Sequence, residues 1–396
     1  MNRFRYRRFQ IRAAAAAFVI AACAAGSARA EIGVTADRIV FGQIAALEGP
    51  AAALGLGMQA GLQAAFDEAN IAGGVKGRKL QLVSVNDGYE PEKAVAAAKQ
   101  LIAGGQIFAL AGSVGTPTSA AVEPLASEAG IPFVGAFTGA EFLRQADKPN
   151  VVNIRASYAQ ETEAMVAHLT ADLGASRIAV LYQNDAFGQA GLAGVRHALD
   201  RRRMAPIAEA SYERNTVEVA GALHVIKDSD PQAVIMIGAY KPCAEFIRQA
   251  RRAKLDATFV NISFVGSDAL TRELGSAGAG VVVTQVVPFP GDTSIKLVRR
   301  YQAALKHTRP DAPPGFVSLE GYMVGRLLVA ALAKIEGEVT RAALLDAVKR
   351  AGPFDLGGFT LRYGAHDNRG SNRVYLTVIQ ADGSFRPIDQ LSKFGD

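Results

Sequence analysis

Residues 107–130 read IFALAGSVGTPTSAAVEPLASEAG, and this stretch indicates the type of fold. The apolar run 107–110 predicts a buried strand, and 117–129 predicts a helix. Glycine permits the backbone angles of a tight turn, and proline favours the first position of a helix. The stretch therefore predicts a strand, a glycine-rich loop and a helix whose first N–H groups are available to an anion.

The same alternation of strand and helix continues along most of the chain. The sequence predicts strands at 38–45, 79–86, 107–112, 131–136, 177–183, 233–238 and 258–264. It predicts helices at 55–71, 91–103, 117–129, 158–173, 187–203, 215–227, 241–254, 293–306 and 317–335. Strands separated by helices indicate parallel sheets covered on both faces. Because the rhythm restarts at Arg177, we predict an α/β fold of two lobes in tandem.

The first 30 residues predict export. Residues 1–12 are rich in arginine, an apolar segment follows, and Ala28-Arg29-Ala30 has the small-x-small pattern of a cleavage site. We therefore predict a signal peptide over residues 1–30, cut before Glu31, and a periplasmic protein. The alternative is anchoring at Cys23, because residues 20–23 resemble a lipoprotein box.

Charge and cysteine content exclude several classes of protein. The 43 basic residues of the whole chain include six arginines in residues 1–30, which leaves 37 basic against 37 acidic residues. A neutral mature chain lacks the electrostatic basis for nucleic-acid binding. Only Cys243 remains after the leader, so no internal disulfide is possible, and no Cys/His spacing indicates a metal site.

Two enzyme hypotheses are weaker than a binding function. Ser113 lies in Ala-Gly-Ser-Val-Gly, which lacks the first glycine of a nucleophile elbow. Residues 55–60 fit the glycine fingerprint of dinucleotide-binding enzymes, but nine residues, 46–54, separate them from the preceding strand. We therefore predict a protein that is not an enzyme and needs no cofactor, with an exported NAD-type enzyme as the less favoured alternative.

Five longer stretches carry a resemblance to a known family: residues 39–55, 66–102, 131–143, 177–192 and 238–255. In their order and spacing the chain resembles type I periplasmic solute-binding proteins of the leucine/isoleucine/valine-binding family, the receptors of ABC importers. The resemblance implies two Rossmann-like lobes with three crossings between them and a ligand held in the cleft. Lobe 1 would comprise residues 31–155 and 288–367, and lobe 2 residues 156–287 and 368–396.

The resemblance also implies the ligand site. Gly115 and Thr116 would hold a ligand carboxylate, and the loop Ala136, Phe137 and Thr138 would contact it from the same lobe. Phe187 and Tyr240 would cover the ligand from the second lobe, with Tyr158 and Leu54 at the rim. For Thr138 the alternative is an ordinary turn that caps a short helix, and for the aromatic residues it is packing.

Ser263 departs from the family pattern. Amino-acid-binding relatives have an acidic residue at this position, which holds the ligand's ammonium group. Either Glu48, Asp185 or Glu320 substitutes for it, or the ligand has no α-ammonium, because a buried ammonium needs a partner. Phe137 and Phe187 would suit an apolar or aromatic carboxylate.

The predicted function is an extracytoplasmic receptor, a monomer, that delivers a small carboxylate-bearing ligand to a membrane permease and its ATPase. The ligand would be a branched-chain or other amino acid, or an aromatic or aliphatic acid. A ligand sensor that signals to a partner protein is the alternative.

Overall fold

The first lobe is built on a parallel sheet. The structure, a computed structural model, describes residues 31–392. Strands β1 (Arg38–Ala45), β2 (Lys79–Asn86), β3 (Ala109–Ala111), β4 (Phe133–Val134) and β5 (Val151–Val152) pair in the order β2-β1-β3-β4-β5. Helices α1 (Ala52–Ile71), α2 (Pro91–Ala103) and α3 (Thr116–Glu128) connect the first four strands. The carboxyl ends of the strands meet at one edge, where a ligand of such a sheet binds.

The second lobe contains a larger sheet. Its seven strands have the order β15-β14-β10-β9-β8-β6-β7, numbered along the chain. They are β6 (Ile178–Gln183), β7 (Ala208–Tyr212), β8 (Ala233–Ile237), β9 (Thr258–Asn261), β10 (Val282–Gln285), β14 (Tyr375–Ile379) and β15 (Phe385–Ile388). Strands β6 to β10 are parallel, whereas β14 and β15 pair antiparallel. Its helices are α4 (Tyr158–Leu173), α5 (Ala186–Asp200), α6 (Ala220–Asp228), α7 (Tyr240–Arg252) and α8 (Ser267–Leu274).

Three late helices follow the second lobe: α9 (Lys296–Thr308), α10 (Phe316–Ala333) and α11 (Arg341–Arg350). Helix α10 lies directly on α1. The two backbones are so close that a Cβ atom at Gly61 would overlap the backbone of Ser318. Arg300 of α9 also donates to Glu68 of α1 at 2.8 Å. The late helices thus pack on the first lobe. Helix α10 is long and apolar enough to cross a membrane, but 78% of it is buried inside the protein, as in a core helix.

Two of the segments predicted to cross between the lobes lie side by side. A small antiparallel sheet of β11 (Phe354–Asp355), β12 (Thr360–Gly364) and β13 (Asp367–Gly370) precedes β14. The backbone N–H of Asn153 donates to the carbonyl of Asn368 at 2.8 Å, and the hydroxyl of Tyr363 donates to the carbonyl of Asn153 at 2.8 Å. The residue boundaries of the lobes stay predictions.

The predicted fold class is confirmed: two α/β lobes with mainly parallel sheets. Most predicted elements begin and end within three residues of the observed ones. The predicted elements do not include strands β5, β7 and β10 to β15 or helices α8 and α11. The helix predicted at 215–227 begins only at Ala220, and the strand predicted at 258–264 ends at Asn261. The predicted signal peptide over residues 1–30 and the alternative anchor at Cys23 lie outside the described residues.

Candidate functional site

The glycine-rich loop after β3 places the start of α3 at the edge of the first sheet. Gly112 and Gly115 have φ angles of 64° and 107°, which a residue with a side chain rarely adopts. A Cβ atom at Gly115 would also overlap the ring of Tyr89. The hydroxyl of Thr118 donates to the carbonyl of Val114 at 2.6 Å and holds the loop against the helix. The first turn of α3 therefore presents backbone N–H groups that have no acceptor within the helix.

The two predicted ligand loops lie next to each other. The N–H of Phe137 donates to the carbonyl of Ser113 at 2.7 Å, and the N–H of Gly115 donates to the carbonyl of Phe137 at 3.2 Å. This pairing brings the hydroxyl oxygens of Thr116 and Thr138 to 2.7 Å from each other. Both threonines are buried. The hydroxyl of Thr138 also accepts from the N–H of Ala140 at 3.2 Å, which is the turn-capping role considered above.

Aromatic rings from both lobes surround the two threonines. The hydroxyl of Tyr158 lies 3.4 Å from that of Thr116. The ring centroid of Phe187 is 5.4 Å from that of Tyr158 and 4.4 Å from that of Phe264. The ring centroid of Phe264 is also 5.2 Å from that of Phe137 and 6.0 Å from that of Tyr89. The predicted residues Phe137, Tyr158 and Phe187 thus meet in one cluster.

Sequence reasoning missed Phe264 and Tyr89. Phe264 follows Ser263 in a 3-10 turn over Ser263–Val265, just beyond the end of β9. Tyr89 lies in the loop after β2 and has a φ of 64°. Both positions follow the carboxyl end of a parallel strand, which is the signal that could have indicated them.

A buried group of charges lies beside the aromatic cluster. The guanidinium of Arg155 is 4.9 Å from the ring centroid of Phe137. It contacts the carboxylate of Glu161 at 3.1 Å and that of Glu320 at 3.4 Å, and it donates to the hydroxyl of Ser263. All four polar residues are buried. Sequence reasoning also missed Arg155 and Glu161, which join the two lobes at this point.

Burial and neighbouring charges shift the pKa values of this group. Burial raises the pKa of Glu320 to about 7, an effect opposed by Arg155 and reinforced by Glu161. Burial disfavours the charge of Arg155, but Glu320 and Glu161 together raise its pKa above the ordinary value. A second buried cation, Arg144, donates to the carbonyl of Thr138 at 3.4 Å, and burial lowers its pKa to about 10. Both arginines are therefore charged at pH 7.

The structure shows what each candidate acid contacts. Ser263 itself donates to Glu161 through its N–H and its hydroxyl, each at 3.0 Å. Glu48 is exposed. Asp185 caps α5 by accepting from the N–H of Phe187 at 2.9 Å, and it contacts Arg214 at 3.3 Å. Of the acids predicted to replace the one missing at Ser263, only Glu320 belongs to the buried group.

Tyr240 and Leu54 lie at a contact between the lobes. The hydroxyl of Tyr240 accepts from the N–H of Ala53 at 3.4 Å. Leu54 is buried, and a Cβ atom at Gly266 would overlap its side chain. Their roles in ligand binding stay predictions.

A polar contact between the lobes closes the edge of the cleft near Tyr89. Arg214 contacts the carboxylate of Glu90 at 2.7 Å, and Asn215 donates to the same carboxylate at 2.7 Å and to the carbonyl of Gly88 at 3.1 Å. We call Glu90, Arg214 and Asn215 the interlobe clasp. Nearby, the amide of Gln183 donates to the hydroxyl of Tyr89 at 3.2 Å. The lobes are therefore closed on each other in this structure.

A surface cavity of about 710 Å³ lies elsewhere, lined among others by Arg177, Gln232 and Thr258. These residues lie at the amino ends of the strands in the second sheet. Ligands of parallel sheets bind at the carboxyl ends, so this cavity is a poor candidate for the ligand site. Within residues 31–392, no group of three or more His, Cys, Asp and Glu side chains is arranged to hold a metal ion.

Comparison with known proteins identifies the family. The family described as "Periplasmic binding protein" matches residues 38–384. The chain is 25% identical to a Leu/Ile/Val-binding protein homolog 7 of Brucella abortus (strain 2308), over 81% of this chain and 82% of that protein. It is 24% identical to a leucine-, isoleucine-, valine-, threonine-, and alanine-binding protein of Pseudomonas aeruginosa, over 82% of this chain and 86% of that protein.

A solved structure extends this similarity to the fold. A possible leucine/isoleucine/valine-binding protein from Rhodopirellula baltica SH 1 superposes with a TM-score of 0.86 and is 39% identical. The superposition covers 92% of this chain and 100% of that one. With its fold, its closed lobes and these relatives, the chain belongs to the periplasmic binding protein family, as a type I member of the leucine/isoleucine/valine-binding group.

Proposed function

We propose that this protein is the extracytoplasmic receptor of an ABC importer and that it holds the carboxylate of a small ligand at Thr116 and Thr138. The observation that carries the proposal is the 2.7 Å approach of these two buried hydroxyls at the start of α3. A helix start attracts negative charge because its N–H groups are unpaired and its dipole is positive there. The charged guanidinium of Arg144, bonded to the carbonyl of Thr138, adds to the same potential.

Binding follows from this arrangement in two steps. With the lobes apart, a carboxylate accepts hydrogen bonds from the hydroxyls of Thr116 and Thr138, which now bond to each other. Closure then brings Phe187 and Phe264 of the second lobe onto the ligand. A ligand drives closure only through contacts that it gains in the closed state, so these rings supply part of the closing free energy.

Export and transport complete the proposal. Residues 1–30 would direct the chain to the periplasm and be removed before Glu31. The closed, liganded form would then be recognised by a permease with its ATPase. The curated relatives named for branched-chain amino acids support this class of function.

The test replaces the hydroxyl at the start of α3. Thr116→Ala should weaken carboxylate binding by about 1–3 kcal/mol, because a hydrogen bond to a charged group contributes about that much. Thr116→Ser is the matched control, since it keeps the hydroxyl and should bind within a few-fold of the wild type. Isothermal titration calorimetry gives the dissociation constants. Equal affinities for the wild type and Thr116→Ala would refute the proposed carboxylate site.

A further inference from the structure

We infer that the ligand is a monocarboxylic acid with an apolar, preferably aromatic, body and without an amino group. This inference rests on the proposed function, because it describes the ligand whose carboxylate is held at Thr116 and Thr138. It narrows a choice that the sequence left open between amino acids and acids that lack the amine.

Glu161 has no capacity left for a ligand ammonium. Its carboxylate accepts from the N–H and the hydroxyl of Ser263, each at 3.0 Å, and from the hydroxyl of Thr284 at 2.6 Å. It also contacts the guanidinium of Arg155 at 3.1 Å. A carboxylate offers about four lone-pair positions, so these four donors satisfy it. An ammonium would have to displace one of them in a fully buried place.

Three other acids near the site, Glu320, Asp185 and Glu90, each contact a cation of the protein. Glu320 contacts Arg155 at 3.4 Å. Asp185 and Glu90 both contact Arg214, at 3.3 and 2.7 Å. Asp87 differs from them: burial raises its pKa to about 6, one carboxylate oxygen accepts from the N–H of Tyr89 at 2.8 Å, and the other is buried without a hydrogen-bond partner. An amino-acid ligand would therefore bring a cation to a site where the acids Glu320, Asp185 and Glu90 already contact cations of the protein.

The net charge of the buried group, with Arg144 included, also disfavours a ligand ammonium. Arg144 and Arg155 carry two positive charges, and Glu161 and Glu320 carry at most two negative ones, so the sum is zero with both acids ionised and +1 with Glu320 protonated. Such a group tolerates or attracts an anion and offers nothing to a cation. A buried, unpaired ammonium is strongly disfavoured.

The walls around the threonines favour a flat apolar body. Phe264 contacts Phe137 and Phe187 at centroid distances of 5.2 and 4.4 Å, and Tyr158 contacts Phe187 at 5.4 Å. Aromatic rings pair favourably in offset or tilted arrangements at such distances. An aromatic or branched aliphatic body can pack between these rings once the lobes separate, whereas a polar body would lose its hydration there.

The experiment uses two pairs of ligands that differ only by the amine. 3-Phenylpropanoate is compared with L-phenylalanine, and 4-methylpentanoate with L-leucine, by isothermal titration calorimetry on the full mature chain at pH 7. We expect the acid without the amine to bind at least about tenfold more tightly in each pair, since an unpaired ammonium costs 1.4 kcal/mol or more.

The outcomes separate the two proposals. Equal or tighter binding of the amino acids would overturn this inference and leave the carboxylate site of the proposed function standing. The carboxylate site is tested separately: Thr116→Ala should lose affinity for whichever compound of a pair binds the wild type. Absence of binding by all four compounds, with benzoate included as a shorter probe, would count against the inference and against the proposed carboxylate site together.

Glu320→Gln removes the one acid of the buried group that could serve an ammonium. If the inference is right, this variant binds 3-phenylpropanoate as tightly as the wild type or more tightly, because the group becomes more positive. If Glu320 instead holds an ammonium, the variant loses affinity for L-phenylalanine and gains none for the acid. That result would overturn the inference even if the wild type bound both compounds.

Discussion

Glu320 is a residue at which pH should act on the stability of the fold. Burial raises its pKa from 4.5 to about 7, with Arg155 opposing the shift and Glu161 adding to it. Arg144 is the remaining charged group near it. The folded state therefore holds this proton more tightly than the unfolded chain does. The resulting stabilisation is fully present below pH 4.5 and is lost as the pH rises to about 7.

Glu320→Gln should remove this dependence, because glutamine resembles the protonated acid and does not titrate. The difference in free energy of unfolding between the wild type and Glu320→Gln should change by up to about 3 kcal/mol between pH 4.5 and pH 7. Urea denaturation at a series of pH values measures it. Glu338→Gln, at an exposed glutamate, is the control and should show no such change. If the difference in free energy of unfolding between the wild type and Glu320→Gln stayed constant with pH, the raised pKa of Glu320 would be contradicted.

The sequence could indicate some residues of the site but not its charges. Thr116 and Thr138 follow two strands of one sheet, so their approach follows from local pattern and strand order. Arg155 and Ser263 are 108 positions apart and meet only through the arrangement of the two lobes. No local pattern distinguishes a buried arginine from an exposed one before that arrangement is known. The predicted substitute acids therefore included Glu48, which is exposed, and Asp185, which caps α5 and contacts Arg214 outside the buried group around Arg155.

At the scale of elements, the missed strand β7 shows a limit of hydrophobic periodicity. Its sequence, AEASY, contains only small, polar and aromatic residues, and just two of the five are buried. It lies at the edge of the second sheet, where one side of the strand is unpaired and apolar character is least needed. The long internal runs of β6 and β8 were predictable because both their faces are buried.

Helix α5 should depend on its cap for both stability and ligand binding. The carboxylate of Asp185 accepts from the N–H groups of Phe187 and Gly188 at 2.9 and 3.3 Å, so it orients the turn that carries Phe187. Asp185→Ala should cost about 1 kcal/mol of stability, the usual contribution of such a cap. It should also weaken ligand binding, because the ring of Phe187 loses its fixed position. Chemical denaturation and calorimetry give the two values.

Asp185→Asn is the matched variant for this cap. Asparagine keeps an oxygen that caps the helix but loses the charge that contacts Arg214 at 3.3 Å. It should retain most of the stability that Asp185→Ala loses. If both variants were equally destabilised, the contact with Arg214 rather than the cap would be the important one.

At the scale of the whole molecule, opening and closing must separate groups that now touch. Glu90 belongs to the first lobe, whereas Arg214 and Asn215 belong to the second, so the interlobe clasp exists only when the lobes are closed. Tyr89, next to Glu90, covers Gly115 and accepts from Gln183 of the second lobe. Closure thus seals the start of α3 and forms the clasp in one movement. A contact made only in the closed state shifts the equilibrium towards that state.

Removing the clasp should therefore speed ligand release without touching the ligand site. Asn215→Ala removes donors to Glu90 and Gly88 at 2.7 and 3.1 Å, and Glu90→Gln weakens the partly exposed ion pair with Arg214. Each change should raise the dissociation constant about 3- to 10-fold, given about 1 kcal/mol per hydrogen bond. Because the contacts form after the ligand docks, stopped-flow measurements should show faster dissociation and little change in association. Gln232→Ala, on the far side of the second lobe, should leave both rates unchanged. A faster association with unchanged dissociation would instead mean that the clasp forms before the ligand enters and holds the ligand-free lobes closed.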